Sequence, residues 1–324
     1  TQVLIIGAGV TGLGLARDLA LRGISCIIVE QGDVNSGASG RNHGLLHSGS
    51  RYVSSDTEVA AECLEEADLL KKLAPQCVEE TAGLFVAVEG DDEAFIAAFP
   101  HLCEKARIPA EALDIADARE MEPCLSNRII AAYAVPDATV DPFKLALQNF
   151  HQAHQNGTKL LRYHKVVGFK RNGGRLKSVH LINTETGGSL FVEADQFVSA
   201  AGAWCGEIAR MAGADMDMVY SKGSLAVTHS RLGERVINRL RKPADGDILV
   251  PGGTVSIFGT TSLRMDVPSD VHPTVREVDY LVSEGAAMIP EMETVRYIRA
   301  YAGIRPLIQS GEDGGDRSVS RGFI

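Results

Sequence analysis

Val3-Leu4-Ile5-Ile6-Gly7-Ala8-Gly9-Val10-Thr11-Gly12, at the start of a chain of 324 residues, decides the fold. The aliphatic run at 3–6 suits a strand buried on both faces of a parallel sheet. Gly7, Gly9 and Gly12 follow as G-x-G-x-x-G, and residues 13–20 continue as a helix that stops near Arg22-Gly23. Gly7 permits the tight turn, Gly9 lets the backbone approach a pyrophosphate, and Gly12 lets the helix pack closely on the strand. The start of that helix offers N–H groups and a positive dipole end to a phosphate. A second aliphatic run at 26–29 ends on Glu30, an acid placed to accept hydrogen bonds from a ribose. Glycines alone could serve only close packing. The order strand, glycine turn, helix, strand, acid predicts a Rossmann-like dinucleotide site for either NAD or FAD.

The loop behind the second strand separates the two. Residues 36–52 carry Arg41 and Arg51, His43 and His47, and four glycines, where an NAD enzyme would more often have a plain crossover to a third strand. Ser39-Gly40-Arg41-Asn42-His43-Gly44 followed by His47-Ser48-Gly49-Ser50-Arg51-Tyr52 resembles the FAD-dependent glycerol-3-phosphate dehydrogenases of anaerobic type, in their large subunit, within the D-amino-acid-oxidase-like flavoproteins. The resemblance implies an FAD site using Gly7, Gly9, Gly12, Glu30, Ser39, Arg41, Asn42, His43 and Gly44. It also implies an H-x-G-x-R-Y segment at the substrate.

Composition is that of an ordinary packed protein, with 45% hydrophobic residues and no internal repeat or low-complexity tract. The net charge of −10 argues against nucleic acid and gives no pull toward anionic lipid, so any phosphate has to meet local arginines. The apolar opening is broken by Arg17 and Asp18 before it could span a bilayer, and no signal peptide is read. Six scattered cysteines, with no C-x-x-C pair, predict neither zinc nor an iron–sulfur cluster in this stretch and fit reduced thiols in a cytoplasmic protein. Cys205, beside a candidate flavin turn, is the one whose reactivity would matter.

Periodicity predicts helices at 59–73, 91–106, 112–123, 141–156 and 275–288, the fourth capped by Asp141 with Pro142 in its first turn. Strands are expected at 83–88 and 129–135, then at 159–163, 166–171, 179–183 and 190–194 as an inserted β-meander, and at 196–200, 225–229, 248–251 and 255–259. The strand at 196–200 runs into Ala201-Gly202-Ala203-Trp204, where small residues would let backbone approach a cofactor; a helix start packed with small residues is the alternative. Trp204, the only tryptophan, could equally be a core anchor. The fold class is mixed α/β: a discontinuous FAD-binding domain at 1–80, 136–220 and 296–324, and a discontinuous antiparallel-sheet substrate domain at 81–135 and 221–295.

Two further motifs bear on chemistry. Gly303-Ile304-Arg305-Pro306-Leu307 puts an arginine on an otherwise apolar strand, where it has to be paired or face a cavity, and Pro306 keeps Arg305 extended. Gly259-Thr260-Thr261 resembles a turn that the family presents to substrate. Arg51 and Arg305 could fork onto a phosphate, Tyr52 could donate to phosphate or alcohol, and His47 could take the proton. Catalytic candidates are therefore His47, Arg51, Tyr52 and Arg305, with Arg51, Tyr52, Thr260 and Arg305 on the substrate and Ala201 and Gly202 on FAD.

The resemblance implies oxidation of sn-glycerol 3-phosphate to dihydroxyacetone phosphate. Electrons would pass toward quinone through electron-transfer and membrane-anchor subunits on the inner face of the membrane. It also implies a further T-x-x-R-like flavin segment and a cysteine-rich domain beyond Ser318-Val319-Ser320-Arg321-Gly322-Phe323-Ile324, so the chain is expected to be a truncated form. Alternatives are an oxidase or dehydrogenase of a 2-hydroxy acid such as L-2-hydroxyglutarate, or of an amino acid, and a non-catalytic FAD-binding fragment or assembly subunit.

Overall fold

The computed structural model describes residues 1–268 and 271–308. Val3–Ile6 forms the second strand of a four-stranded parallel sheet in the order Gln196–Ser199, Val3–Ile6, Cys26–Val29, Lys159–Leu161. Every residue of Val3–Ile6 is buried because both faces are covered. Val3 and Ile5 pack against Leu13, Ala16 and Ala20 of helix Val10–Leu21 and against Ala146 and Ala153 of helix Pro142–Gln155. Leu4 and Ile6 face the other way, onto Val166, Val179, Leu181 and Val192. Those residues belong to a three-stranded antiparallel meander, His164–Asn172, Arg175–Asn183 and Ser189–Glu193.

Lys159–Leu161, expected in the meander, instead pairs in parallel with Cys26–Val29 and closes the main sheet. Its three residues are too few to show an alternation that would separate the two sheets. The other large element is a nine-stranded sheet. Near one end of it Met218–Thr228 pairs with Val255–Gly259, Leu263–Met265 and the full length of Tyr297–Ile308. It continues through Ile248–Gly252, Val236–Arg239, Gly83–Val88, Ile129–Val135 and Glu111–Leu113. Sequence periodicity misses Val236–Arg239, Leu263–Met265 and Glu111–Leu113, which are four residues or fewer.

Tyr297–Ile308 lies in this sheet, whereas the sequence pattern assigns residues from 296 onward to the nucleotide-binding unit. The register places Gly303 opposite Gly223 and Arg305 opposite Ser221. Helix Val275–Met288 covers one face, where Leu281 and Met288 join Leu84, Val86 and Phe258. Helix Glu93–Lys105 covers the other through Phe95, Phe99 and Cys103 against Phe85 and Ala87. A small sheet of Leu45–Leu46, Ala138–Val140 and Val78–Glu79 fixes the end of the flavin-type loop between the two large sheets.

Candidate active site

The glycine turn is built as its spacing requires. Gly7 has φ +113°, and a Cβ there would lie 2.3 Å from the Ala200 carbonyl oxygen. A Cβ on Gly12 would lie 2.0 Å from the Gly7 carbonyl oxygen, so helix and strand touch backbone to backbone. The N–H of Val10 donates to Ser39 Oγ at 3.0 Å, tying the helix start to the following loop. Glu30 accepts from the Ala8 N–H through Oε2 at 2.9 Å and from the Gly32 N–H through Oε1 at 2.8 Å. An ionised carboxylate has about four lone-pair sites, so Glu30 keeps capacity for a ribose hydroxyl while it shapes the turn.

These groups wall a cavity of about 490 Å³ that runs from Gly7, Gly9 and Glu30 past Ser39 to Ala201, Gly202 and Trp204. A Cβ on Gly9 would come 3.0 Å from Ser39 Oγ, whereas one on Gly202 would meet nothing within 4 Å. The cradle therefore depends on glycine at its fingerprint end and leaves open space at Gly202. Glycine turn, helix N-terminus, acid and cavity together fit a dinucleotide. Cys205 is partly buried on the same wall and accepts from Ser199 Oγ at 3.5 Å.

A second cavity, of about 960 Å³, lies beyond the 37–44 loop, with Arg41, Asn42, His43, Gly44 and Tyr301 in its wall. Asn42 shapes the loop itself. Its amide donates to the Ser39 carbonyl at 2.7 Å, its Oδ1 accepts from the Gly44 N–H at 2.7 Å, and its carbonyl accepts from the Tyr301 hydroxyl at 2.7 Å. Arg41 Nη1 donates to the Ala302 carbonyl at 3.4 Å. The loop sits so close to the strand that a Cβ on Gly303 would be 2.7 Å from the Arg41 carbonyl oxygen, which accounts for the glycine of G-x-R-P.

His43 keeps an edge on this cavity while the rest of its ring is densely surrounded. That burial, with the positive fields of Arg305 and Arg51 and the neighbouring His47, lowers its pKa from 6.5 to about 3. Its Nδ1 accepts the Leu45 N–H at 3.2 Å. A neutral imidazole whose Nδ1 lone pair is engaged carries its proton on Nε2. His43 is thereby a hydrogen-bond donor to the site.

Arg51 and Arg305 arrive from opposite ends of the chain into the surroundings of His43. Arg51 Nη2 donates to Asp247 Oδ2 at 2.8 Å and to the Ala244 carbonyl at 3.1 Å. Its Nη1 is buried and has no hydrogen-bond partner among the described residues. Arg305 Nη2 donates to Thr260 Oγ1 and, at 3.1 Å, to the Thr261 carbonyl. Its Nη1 lies 3.4 Å from Ser221 Oγ. Gly223 opens the space, since a Cβ there would be 2.6 Å from Arg305 Nη2. The His47 and Tyr52 rings meet edge to face with centroids 5.0 Å apart.

The structure thus gathers His43, His47, Arg51 and Arg305, sets Tyr52 on His47, and sets Thr260 on Arg305. His47, Arg51, Tyr52, Thr260 and Arg305 do not line either large cavity; His43 stands between them and the larger one. Three carboxylates escape sequence reasoning. Asp137 accepts from the Ser48 N–H at 2.7 Å and its hydroxyl at 2.8 Å, fixing the loop that carries His47 and Arg51. Asp247 holds Arg51, and Glu277 binds Lys222 Nζ at 2.8 Å and Ser224 Oγ at 2.8 Å. Asp137 and Asp247 lie in polar turns, where nothing local distinguishes them from solvated acids. Residues 318–324 lie outside the described residues. Among the described residues no cluster of three His, Cys, Asp or Glu side chains could hold a metal, and no helix is long and apolar enough to cross a membrane.

Known proteins share both sequence and fold with this chain. It is 47% identical over 326 residues to the A subunit of the anaerobic glycerol-3-phosphate dehydrogenase of Escherichia coli (strain K12), covering 100% of this chain and 60% of that protein. It is 38% identical to the A1 subunit of the corresponding enzyme from Haloferax volcanii, over 95% of this chain and 54% of that one. The chain therefore spans a little over half the length of these relatives. Glycine oxidase from Geobacillus kaustophilus superposes with a TM-score of 0.82 at 23% identity, over 96% of this chain and 84% of that one. The glycerol-3-phosphate dehydrogenase from Bacillus halodurans complexed with FAD gives 0.72 at 23% identity, over 96% and 58%. The sequence pattern described as FAD dependent oxidoreductase (DAO) matches residues 2–323, and the chain belongs to that FAD-binding family.

Proposed function

We propose that this chain is the FAD-binding, substrate-oxidising part of a glycerol-3-phosphate dehydrogenase that converts sn-glycerol 3-phosphate to dihydroxyacetone phosphate. The observation that carries the reading is the pair Arg51 and Arg305, with the buried, unpartnered Nη1 of Arg51. A buried guanidinium nitrogen without a partner is costly unless an anion completes it. Two guanidiniums suit a phosphate dianion better than a single carboxylate. The relatives, named as the A and A1 subunits of the anaerobic enzyme, support the same substrate.

Gly7, Gly9, Gly12, Glu30, Ser39, Ala201 and Gly202 would hold the nucleotide end of FAD. Arg41, Asn42, His43 and Gly44 would lie along its reactive part. Bound FAD supplies a two-electron acceptor. Oxidising the C2 alcohol breaks its C–H and O–H bonds; the hydride leaves to that acceptor and the proton goes to a base of the chain. His43 donates from Nε2, so we assign the base to His47, which Tyr52 orients. Arg51, Arg305 and Thr260 fix the phosphate and with it C2.

Residues 1–80 and 136–220 would form the cofactor unit, and 81–135 and 221–295 would cover the substrate. We further infer a cytoplasmic enzyme whose electrons leave toward quinone through partner subunits; the relatives' names, as A and A1 subunits, support the existence of further subunits. The test is anaerobic mixing of the flavin-loaded enzyme with sn-glycerol 3-phosphate or L-2-hydroxyglutarate. Bleaching of the flavin by the first alone is expected, and bleaching by the second alone would overturn the substrate. Arg51→Ala and Arg305→Ala should each weaken glycerol phosphate binding by about 1.5–3 kcal/mol, the range for hydrogen bonds to charged groups.

A further inference from the structure

We propose that Asp247, acting through the 244–247 loop, is the positioning residue that sets the spacing of the two substrate-binding arginines. The proposal rests on the reading of Arg51 as a phosphate ligand. Asp247 is fully buried, and its two oxygens are divided between two guanidiniums. Oδ2 accepts from Arg51 Nη2 at 2.8 Å and Oδ1 from Arg241 Nε at 2.8 Å. The Ala244 N–H also donates to Oδ2, at 2.6 Å, while the Ala244 carbonyl accepts the second bond from Arg51 Nη2. Arg51 is thus held on one side of its fork only, and Nη1 stays available to an anion.

The same loop reaches the other arginine. The Gly246 N–H donates to the Thr260 carbonyl at 3.2 Å, and the Ser262 N–H donates to Asp245 Oδ2 at 3.1 Å. Thr260 and Thr261 are the groups that grip Arg305 Nη2. Four consecutive residues therefore tie Arg51, from the first loop, to Arg305, from the last described strand. Arg241 is itself anchored by Glu284 at 2.6 Å, so Asp247 is held from behind and cannot follow a moving Arg51. Rigid placement of both forks is what bidentate recognition of one phosphate needs. A guanidinium can bridge a carboxylate and an anion at once; a compact ammonium cannot match that fork.

The test uses the flavin-loaded enzyme with Arg51→Ala, Asp247→Asn, the double variant and Arg51→Lys. Melting temperature and flavin content serve as controls, and inorganic phosphate binding is measured by calorimetry beside steady-state kinetics. Asp247→Asn should raise KM for glycerol 3-phosphate and weaken phosphate binding about tenfold while kcat changes much less. In the Arg51→Ala background it should add nothing. Arg51→Lys should be as impaired as Arg51→Ala. Unchanged KM in Arg51→Ala would remove the phosphate reading itself. Impaired Arg51→Ala together with wild-type affinity in Asp247→Asn, or with fully additive effects, would overturn the positioning role alone. If Asp247→Asn does not fold, wild-type affinity in Arg51→Lys would overturn it.

Discussion

The same substitution at two glycines two positions apart should have opposite effects. A Cβ on Gly12 would stand 2.0 Å from the Gly7 carbonyl oxygen and 3.3 Å from Ala200 Cβ, and the two nearest atoms, both of Gly7, are backbone. Contacts below 3.0 Å are not tolerated, so the start of helix Val10–Leu21 has to retreat by about 1 Å from the strand. Overpacking of this kind costs about 1–3 kcal/mol, and here no side chain can rotate away. The retreat also moves the helix N–H groups away from the pyrophosphate position. At Gly14 a Cβ would meet nothing within 4 Å, and the residue sits inside the same helix, so alanine should stabilise by about 0.5–1 kcal/mol. For a chain of this size 1 kcal/mol corresponds to a shift of roughly 1–2 °C in Tm. Melting followed by circular dichroism at fixed protein and flavin concentration, with the flavin-to-protein absorbance ratio of each purified variant, measures both effects. Gly12→Ala that keeps wild-type flavin content and Tm would refute the close-approach reasoning.

Two titratable groups give further tests. His43 stays neutral in the folded protein down to about pH 3, whereas the unfolded chain binds its proton near 6.5. Stability should therefore fall as pH drops from 6.5 toward 3, by at most about 2 kcal/mol at pH 5, and His43→Asn should flatten that part of a denaturation series; parallel pH profiles would exclude His43 as the source. Burial alone would raise the carboxyl of Glu277, but hydrogen bonds from Lys222, Thr274 and Ser224 outweigh it and lower the pKa from 4.5 to about 2. Its stabilisation is present above pH 4.5 and lost as pH falls toward 2. Glu277→Ala should lose about 3–5 kcal/mol by leaving the Lys222 charge uncompensated. Lys222→Met combined with Glu277→Leu should recover much of this in chemical denaturation; a double variant no more stable than the single would contradict the pairing.

Residues 1–30 can be read without a structure because their information is local. Strand, turn and helix follow from aliphatic runs and from glycines whose spacing matches one backbone geometry. The loop at 36–52 and the G-x-R-P segment are legible for a related reason: polar and basic residues among glycines and apolar strand positions have to be paired or face a cavity. Which sheet a short strand joins is not legible. Lys159–Leu161 and Val236–Arg239 have too few residues for alternation to appear, and only their neighbours decide which sheet they join.

The sequence by itself determined that a dinucleotide turn opens the chain and that Arg51 and Arg305 are unusual. It could not show that Tyr297–Ile308 lies along Met218–Thr228, which brings Arg305 to Thr260. Nor could it show that His43 is a neutral donor, since that depends on burial and on two distant guanidiniums. Arg51 and Asp247 are separated by 196 residues. Nothing in the local pattern of a polar turn tells a buried anchoring carboxylate from a solvated one. Folding removes water from one of them and places an arginine there instead, and the tertiary structure alone decides which.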